Sequence, residues 1–279
     1  MTGIMAPRIL RRLLAVAPPG VRRTLAGALL DLKSLPARLA DPGRRAEPWA
    51  FVHNVGDGDF VAVGAQLVRH LTEYAGLQPV DRVLDIGCGN GRVAEQLSPL
   101  LAQGGGRYVG FDLSPAGIRA CRRRFAGQPH MAFEHLDVWN GEYNDDGRLA
   151  ETEVVFPALD GSVDLAFATS VFTHMRMPGM RRYLAEAARV LTPGGRLAFT
   201  AFALKPERKA SEVFAFRPFD ETSMIIDPRS PERAIGHWRP AIEAAVADAG
   251  LTLTASHNGL WAEPSDYDGG QDLFVAVKR

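Results

Sequence analysis

Two cysteines in 279 residues, Cys88 and Cys121, are too few for a disulfide framework and lack the CxxC spacing of a redox or metal site. That scarcity points to a reducing, cytoplasmic setting. Net charge is also missing: 32 basic side chains balance 32 acidic ones, so no global field draws the protein to nucleic acid. Long apolar runs are absent too. None approaches the roughly 18 residues that a membrane span needs, and the apolar stretch Leu13–Ala17 stops at Pro18-Pro19, too short for a secretory signal. Neither an internal repeat nor a low-complexity segment is present. What remains is ordinary globular material, 46% hydrophobic and 23% charged, long enough for one large α/β domain with a small appendage.

The charge is unevenly spread. Arg8, Arg11, Arg12, Arg22, Arg23, Lys33, Arg38, Arg44 and Arg45 stand against only Asp31 and Asp41 in residues 1–45, which leaves the remainder net acidic. Residues 6–40 read as two short amphipathic helices separated by Pro18-Pro19-Gly20, followed by a linker over 41–48. A basic helical extension over 1–48 and a catalytic domain over 49–279 are therefore expected. The extension has three roles open to it: a solvated cap, an arm for a homodimer, or a peripheral membrane contact with anionic lipid through residues 8–45.

From Phe60 onward Val63, Leu67, Leu71 and Tyr74 recur at helical period and Gly76 supplies a stop. Short β-rich runs then alternate with helical ones, the pattern of a mainly parallel sheet. Seven strands are predicted, at 82–86, 108–112, 131–136, 163–168, 196–202, 251–257 and 273–277, with helices over 91–102, 116–125, 178–191 and 238–249. Two segments break the rhythm, a polar loop at 139–160 and an irregular stretch at 203–236, the latter expected to be a substrate lid.

The sharpest motif is Val83-Leu84-Asp85-Ile86-Gly87-Cys88-Gly89-Asn90-Gly91-Arg92, a strand running through glycines into a helix. Such a turn brings bare amides and a helix N-terminus close to a ligand. The dinucleotide fingerprint would need a third glycine where Arg92 stands, which counts against NAD.

Asp85-x-Gly87-x-Gly89-x-Gly91 resembles the first motif of class I, Rossmann-like S-adenosylmethionine-dependent methyltransferases. Gly110-Phe111-Asp112-Leu113-Ser114, His135-Leu136-Asp137-Val138, Phe156-Pro157-x-x-Asp160-Gly161-Ser162-Val163-Asp164 and Val190-Leu191-Thr192-Pro193-Gly194-Gly195-Arg196 follow in the family's order. The resemblance covers roughly residues 60–279. It implies a seven-stranded sheet with helices on both faces and an antiparallel last strand, holding S-adenosyl-L-methionine through Asp85, Gly87, Cys88, Gly89, Gly91, Arg92, Asp112, Leu113, Asp137, Val138 and Thr169. Within that set Asp112 would take the ribose hydroxyls and Asp137 would face the adenine amino group. Gly58-Asp59-Phe60, Tyr143-Asn144 with Gly147, Ser170-Val171-Phe172-Thr173-His174-Met175 and Gln271-Asp272 are similar to a bacterial subgroup that acts on small molecules or glycans.

Methyl transfer asks the protein to position an acceptor and, for a hydroxyl, to remove its proton. His174, just after the fourth strand, is the candidate base. Tyr143 and Trp261 are the candidate substrate-binding aromatics. The Asp/Asn-Pro-Pro-aromatic motif of base-methylating enzymes is replaced by Thr169-Ser170-Val171-Phe172, and residues 165–176 hold no carboxylate, so neither a nucleic-acid acceptor nor a metal is expected. The reading is O-methylation of a small-molecule hydroxyl. N-methylation and a catalytically silent cofactor-binding subunit are the alternatives.

Overall fold

The structure is a computed structural model that describes residues 19–40, 49 and 59–279. The chain divides into two compact units, Met1–Asp57 and Gly58–Arg279. In the first, helix α1 (Pro19–Ala40) corresponds to the second of the two expected amphipathic helices; the first lies outside the described residues.

The second unit opens with α2 (Phe60–Ala75). Asp59 caps it by accepting from the Val61 and Ala62 amides, and Gly76 closes it at φ 64°, a left-handed angle that glycine adopts without strain. The βα alternation follows: β1 (Arg82–Ile86), α3 (Arg92–Gly104), β2 (Arg107–Asp112), α4 (Pro115–Arg124), β3 (Met131–His135), β4 (Val163–Ala168), α5 (Met177–Val190) and β5 (Leu191–Leu204). The order β3-β2-β1-β4-β5 is parallel throughout. Beyond β5 the sheet continues through β12 (Asp272–Lys278), antiparallel to both β5 and β10 (Leu251–His257). This is the mixed Rossmann-like sheet that the alternation predicts.

Alternation along β1 sends successive side chains to opposite faces, each with its own core. Leu84 and Ile86 pack with Met180, Leu184, Ile242 and Val246 from α5 and α6 (Arg239–Asp248). Val83 lies on the other face with Leu71, Val93, Leu97 and Ile118 from α2, α3 and α4. Burial on both faces explains why the central strands read as continuous apolar runs.

The stretch expected to be irregular carries short strands: β6 (Lys209–Ala210), β7 (Arg217–Pro218), β8 (Ser223–Ile225) and β9 (Ile235–Trp238). β5 outruns its neighbour, because β4 ends at Ala168 opposite Phe199. The remaining tip, Phe202–Leu204, pairs with β9, and β8 and β7 add in turn. The insertion thus grows the main sheet past the carboxyl end of β4. A third core of Phe202, Leu204, Ala234 and Trp261 lies beneath it, and β6 pairs separately with β11 (Ala262–Glu263).

Candidate active site

The glycine loop is a backbone construction. Gly87, Gly89 and Gly91 have φ values of 77°, 58° and 84°, which L side chains rarely adopt. The Gly87 and Cys88 amides both donate to Phe111 O at 2.9 Å, tying the loop to the end of β2. A Cβ added at Gly87 would meet Val171 Cγ2 at 2.5 Å, so the segment after β4 packs directly against the loop.

Asp112 ends β2 with its buried carboxylate turned into this loop, Oδ2 accepting from the Gly89 amide at 2.8 Å and Oδ1 from the Ser114 amide at 2.7 Å. Ser114, rather than Asp112, caps α4 through the Gly117 amide. Asp85 lies beneath the loop and accepts from the Tyr108 hydroxyl at 2.7 Å. Burial pushes its carboxyl up to about 7 against the opposing effect of that hydrogen bond, and the Asp112 charge adds to the rise.

The other residues expected at the cofactor are distributed as follows. Cys88 is buried in the apolar core under the loop, and Arg92 begins α3. Leu113 packs on the opposite core, its carbonyl accepting from His135 Nε2 at 3.1 Å. Val138 is buried, and Thr169 is half-buried directly after β4. Asp137 has its carboxylate engaged with Asn144 Nδ2 at 3.3 Å and Arg148 Nε at 3.0 Å, contacts that hold its pKa below the usual carboxylate value, Asn144 foremost. Here it anchors the 139–149 loop.

Past β4 the chain turns through Ser170 at φ 58°, the one non-glycine residue in the left-handed region among the described residues. Its amide donates to Thr200 Oγ1 at 2.8 Å, and its hydroxyl accepts from Gln271 Nε2 at 3.0 Å. Strain held by surrounding hydrogen bonds marks functional sites. His174 follows in a 3₁₀ turn (Phe172–His174) and is gripped from two directions. Its Nδ1 lies 2.8 Å from Glu232 O; a carbonyl only accepts, so Nδ1 carries the proton. In the neutral ring Nε2 is then the acceptor, and the Tyr143 hydroxyl reaches it at 3.3 Å with the rings 5.0 Å apart, edge to face.

Tyr143 is positioned by Asn140, whose Oδ1 accepts from the Glu142 and Tyr143 amides while its Nδ2 donates to His174 O at 3.1 Å. The insertion is clamped to the same segment: His237 Nε2 donates to Met175 O, Ser230 Oγ donates to Glu142, and Arg176 stands 3.7 Å from Glu232. Nearby, burial and then the Glu232 charge push Glu151 up to about 7. Asn140, Thr200 and Glu232 carry no signal in the sequence, because their contacts with this segment, Asn140 and Glu232 with His174 and Thr200 with Ser170, cross 30 or more residues.

Trp261 is elsewhere. It is 3% exposed, packed edge-on against Phe202 and Phe216 at 5.2 and 5.7 Å, with the Arg208 guanidinium 5.2 Å from its ring. It anchors the core of the insertion, while Tyr143 and His174 form the pair described above.

A family model described as a methyltransferase domain matches residues 84–199. The matched span runs from within β1 to within β5 and takes in the glycine loop, Asp112 and His174. The chain is 28% identical over 195 residues to the 27-O-demethylrifamycin SV methyltransferase of Amycolatopsis mediterranei, covering 68% of this chain and 64% of that one. It is 31% identical over 131 residues to the phthiotriol/phenolphthiotriol dimycocerosates methyltransferase of Mycobacterium leprae, covering 47% and 40%. The chain thus spans less than two thirds of these relatives. Among solved structures, the fold is similar to an S-adenosylmethionine-bound amino pentose methyltransferase of Micromonospora echinaspora, with TM-score 0.50, 17% identity and 80% and 92% of the two chains covered. A geranyl diphosphate C-methyltransferase of Streptomyces coelicolor A3(2) gives 0.51, 16%, 78% and 76%.

The residues present fit S-adenosyl-L-methionine as cofactor. Three left-handed glycines leave the loop without side chains at the carboxyl end of β1, and a buried carboxylate is fixed at the loop by two amides, the chemistry suited to accepting from a ribose diol.

Proposed function

We propose that the chain transfers a methyl group from S-adenosyl-L-methionine to a hydroxyl of a small molecule, a sugar, glycan or secondary metabolite, with His174 as general base. The observation that carries this reading is the imidazole itself: Nδ1–H is committed to Glu232 O, which leaves the basic Nε2 directed at the Tyr143 hydroxyl. His174 sits in the segment whose Val171 packs on the glycine loop. The relatives named for 27-O-demethylrifamycin SV and for phthiotriol dimycocerosates support an acceptor outside the nucleic acids.

When bound, the cofactor supplies a methyl carbon activated by a sulfonium. The protein's share is to hold and align. Asp112 and the glycine loop grip the donor, Tyr143 orients the acceptor oxygen, and Nε2 of His174 takes the acceptor's proton. The resulting imidazolium keeps its Nδ1–H on Glu232 O, so the ring does not reorient during the step.

The test is calorimetric titration with S-adenosylmethionine, S-adenosylhomocysteine and NAD, beside Asp112→Ala, followed by a panel of hydroxyl and amine acceptors read by mass spectrometry. Binding of the first two ligands, lost in the variant, with methylation of a hydroxyl acceptor, is expected. His174→Asn then lowers kcat about a hundredfold with the cofactor affinity retained. Binding of NAD alone would overturn the reading. Methylation of amines only would replace the acceptor, and cofactor binding without turnover in a stable hetero-oligomer would make the chain a silent subunit.

A further inference from the structure

Helix α1 is built inside out. Val21, Leu25, Ala28, Leu32 and Leu35 follow the four-three spacing that aligns residues along one helical face, and all five are exposed, Leu32 at 63%. Among the residues of α1 whose burial is described, the buried ones are Gly27, Asp31 at 7% and Arg38 at 5%, with Leu29 and Leu30 half-buried. The polar residues are linked to each other: Arg38 Nε donates to Ser34 Oγ at 3.0 Å, Ser34 Oγ donates to Asp31 O at 2.9 Å, and the guanidinium lies 4.2 Å over the Trp49 ring. A helix packed only on its own protein turns its apolar stripe inward and its charges to water; α1 does the reverse. A contiguous apolar stripe offered to solvent marks an interaction surface.

Charge selects the partner. Apart from the buried Asp31 and Arg38, the helix carries Arg22, Arg23 and Lys33 and no further acidic residue, within a segment of nine basic and two acidic residues. A second copy of this chain would bring the same sign of charge to the contact. An anionic bilayer surface offers the opposite sign together with an apolar layer for a stripe of leucines. Among the described residues no helix is long and apolar enough to cross a membrane, so the contact lies in the plane of the interface. We infer that α1 is a peripheral anchor that lays its Val21–Leu25–Leu32–Leu35 stripe into the headgroup boundary of an anionic membrane.

The experiment is flotation of the full chain with vesicles of phosphatidylcholine alone and with vesicles in which part of that lipid is phosphatidylglycerol. The chain is expected to float with the anionic vesicles and to be released by added salt. The double substitution Leu25→Ser and Leu32→Ser lies on the exposed face, and its circular dichroism should match that of the parent; it should weaken partition at least tenfold. Arg22→Glu with Arg23→Glu should weaken it about a hundredfold. Failure of the parent chain to float with anionic vesicles at low salt overturns the inference, as does flotation unaffected by the leucine substitutions. A dimer in sedimentation equilibrium that those substitutions dissolve, without flotation, would assign the stripe to a second copy instead. All of these outcomes are independent of methyl transfer.

Discussion

The glycine-loop end of the sheet and the insertion that extends it are built on different principles. At the loop, three left-handed glycines, two amides on Phe111 O and one carboxylate set the geometry within the span Asp85–Ser114. In the insertion, strands of two to four residues are held by side chains from distant segments, such as Arg208 with Asp272 and Ser230 with Glu142. The first construction is local and backbone-encoded; the second depends on long-range pairs of polar groups. The two should therefore fail differently when perturbed.

The largest effect is expected where the insertion meets the sheet. Asp272 accepts from Arg208 at 2.6 Å and from the Ala203 and Gly259 amides at 2.8 Å, and both charged partners are buried. Asp272→Ala leaves the guanidinium buried without its carboxylate, which costs about 3–5 kcal/mol, read as a lowered midpoint in denaturant.

At the loop the corresponding weakness is one proton. Asp85, raised by burial to about 7, contributes stability that is fully present below its ordinary value near 3.8 and is lost as pH rises through 7. Unfolding free energy should fall by a few kcal/mol at most across that window, and Asp85→Asn should flatten the profile. A parent profile already flat between those limits would remove the contrast between the regions.

Gly87→Ala sharpens it further. The substitution places a Cβ 2.5 Å from Val171 at a positive φ, so about 1–3 kcal/mol of strain falls on the loop. That should weaken cofactor affinity roughly tenfold or more while the acceptor KM changes little. The smallest effect belongs to Tyr143→Phe. A single hydroxyl 3.3 Å from His174 Nε2 is removed, for about 0.5–1.5 kcal/mol, seen as a several-fold rise in acceptor KM without change in cofactor binding.

The same division explains what could be read from sequence. Strands of the main sheet carry their boundaries in local pattern: 82–86, 163–168 and 251–257 coincide with β1, β4 and β10, and the βα alternation implies the parallel order of β1 to β5. β5 extends to both sides of its expected range, because the turn Thr192–Gly195 is included in the strand and the tip gains β9 as a partner. β6 to β9 left no periodic trace, being too short to show alternation, and β6 and β9 find partners in β11 and β5 tens of residues away. Asp137 and Trp261 show the limit at the level of single residues. Composition marks a carboxylate after a strand and an aromatic in a loop, but not that one is taken by Arg148 and Asn144 or that the other is enclosed by phenylalanines.

One contact at His174 separates inheritance of chemistry from inheritance of selectivity. The insertion fixes the imidazole tautomer through the main-chain carbonyl of Glu232, which every amino acid possesses. Side chains along 203–236 outside its polar pairs, such as Arg208 with Asp272 and Ser230 with Glu142, can therefore change without moving the imidazole proton, so long as the strand path through β8 and β9 is kept. Under the proposed function, drift in the insertion would alter acceptor preference with the His174 tautomer carried along unchanged.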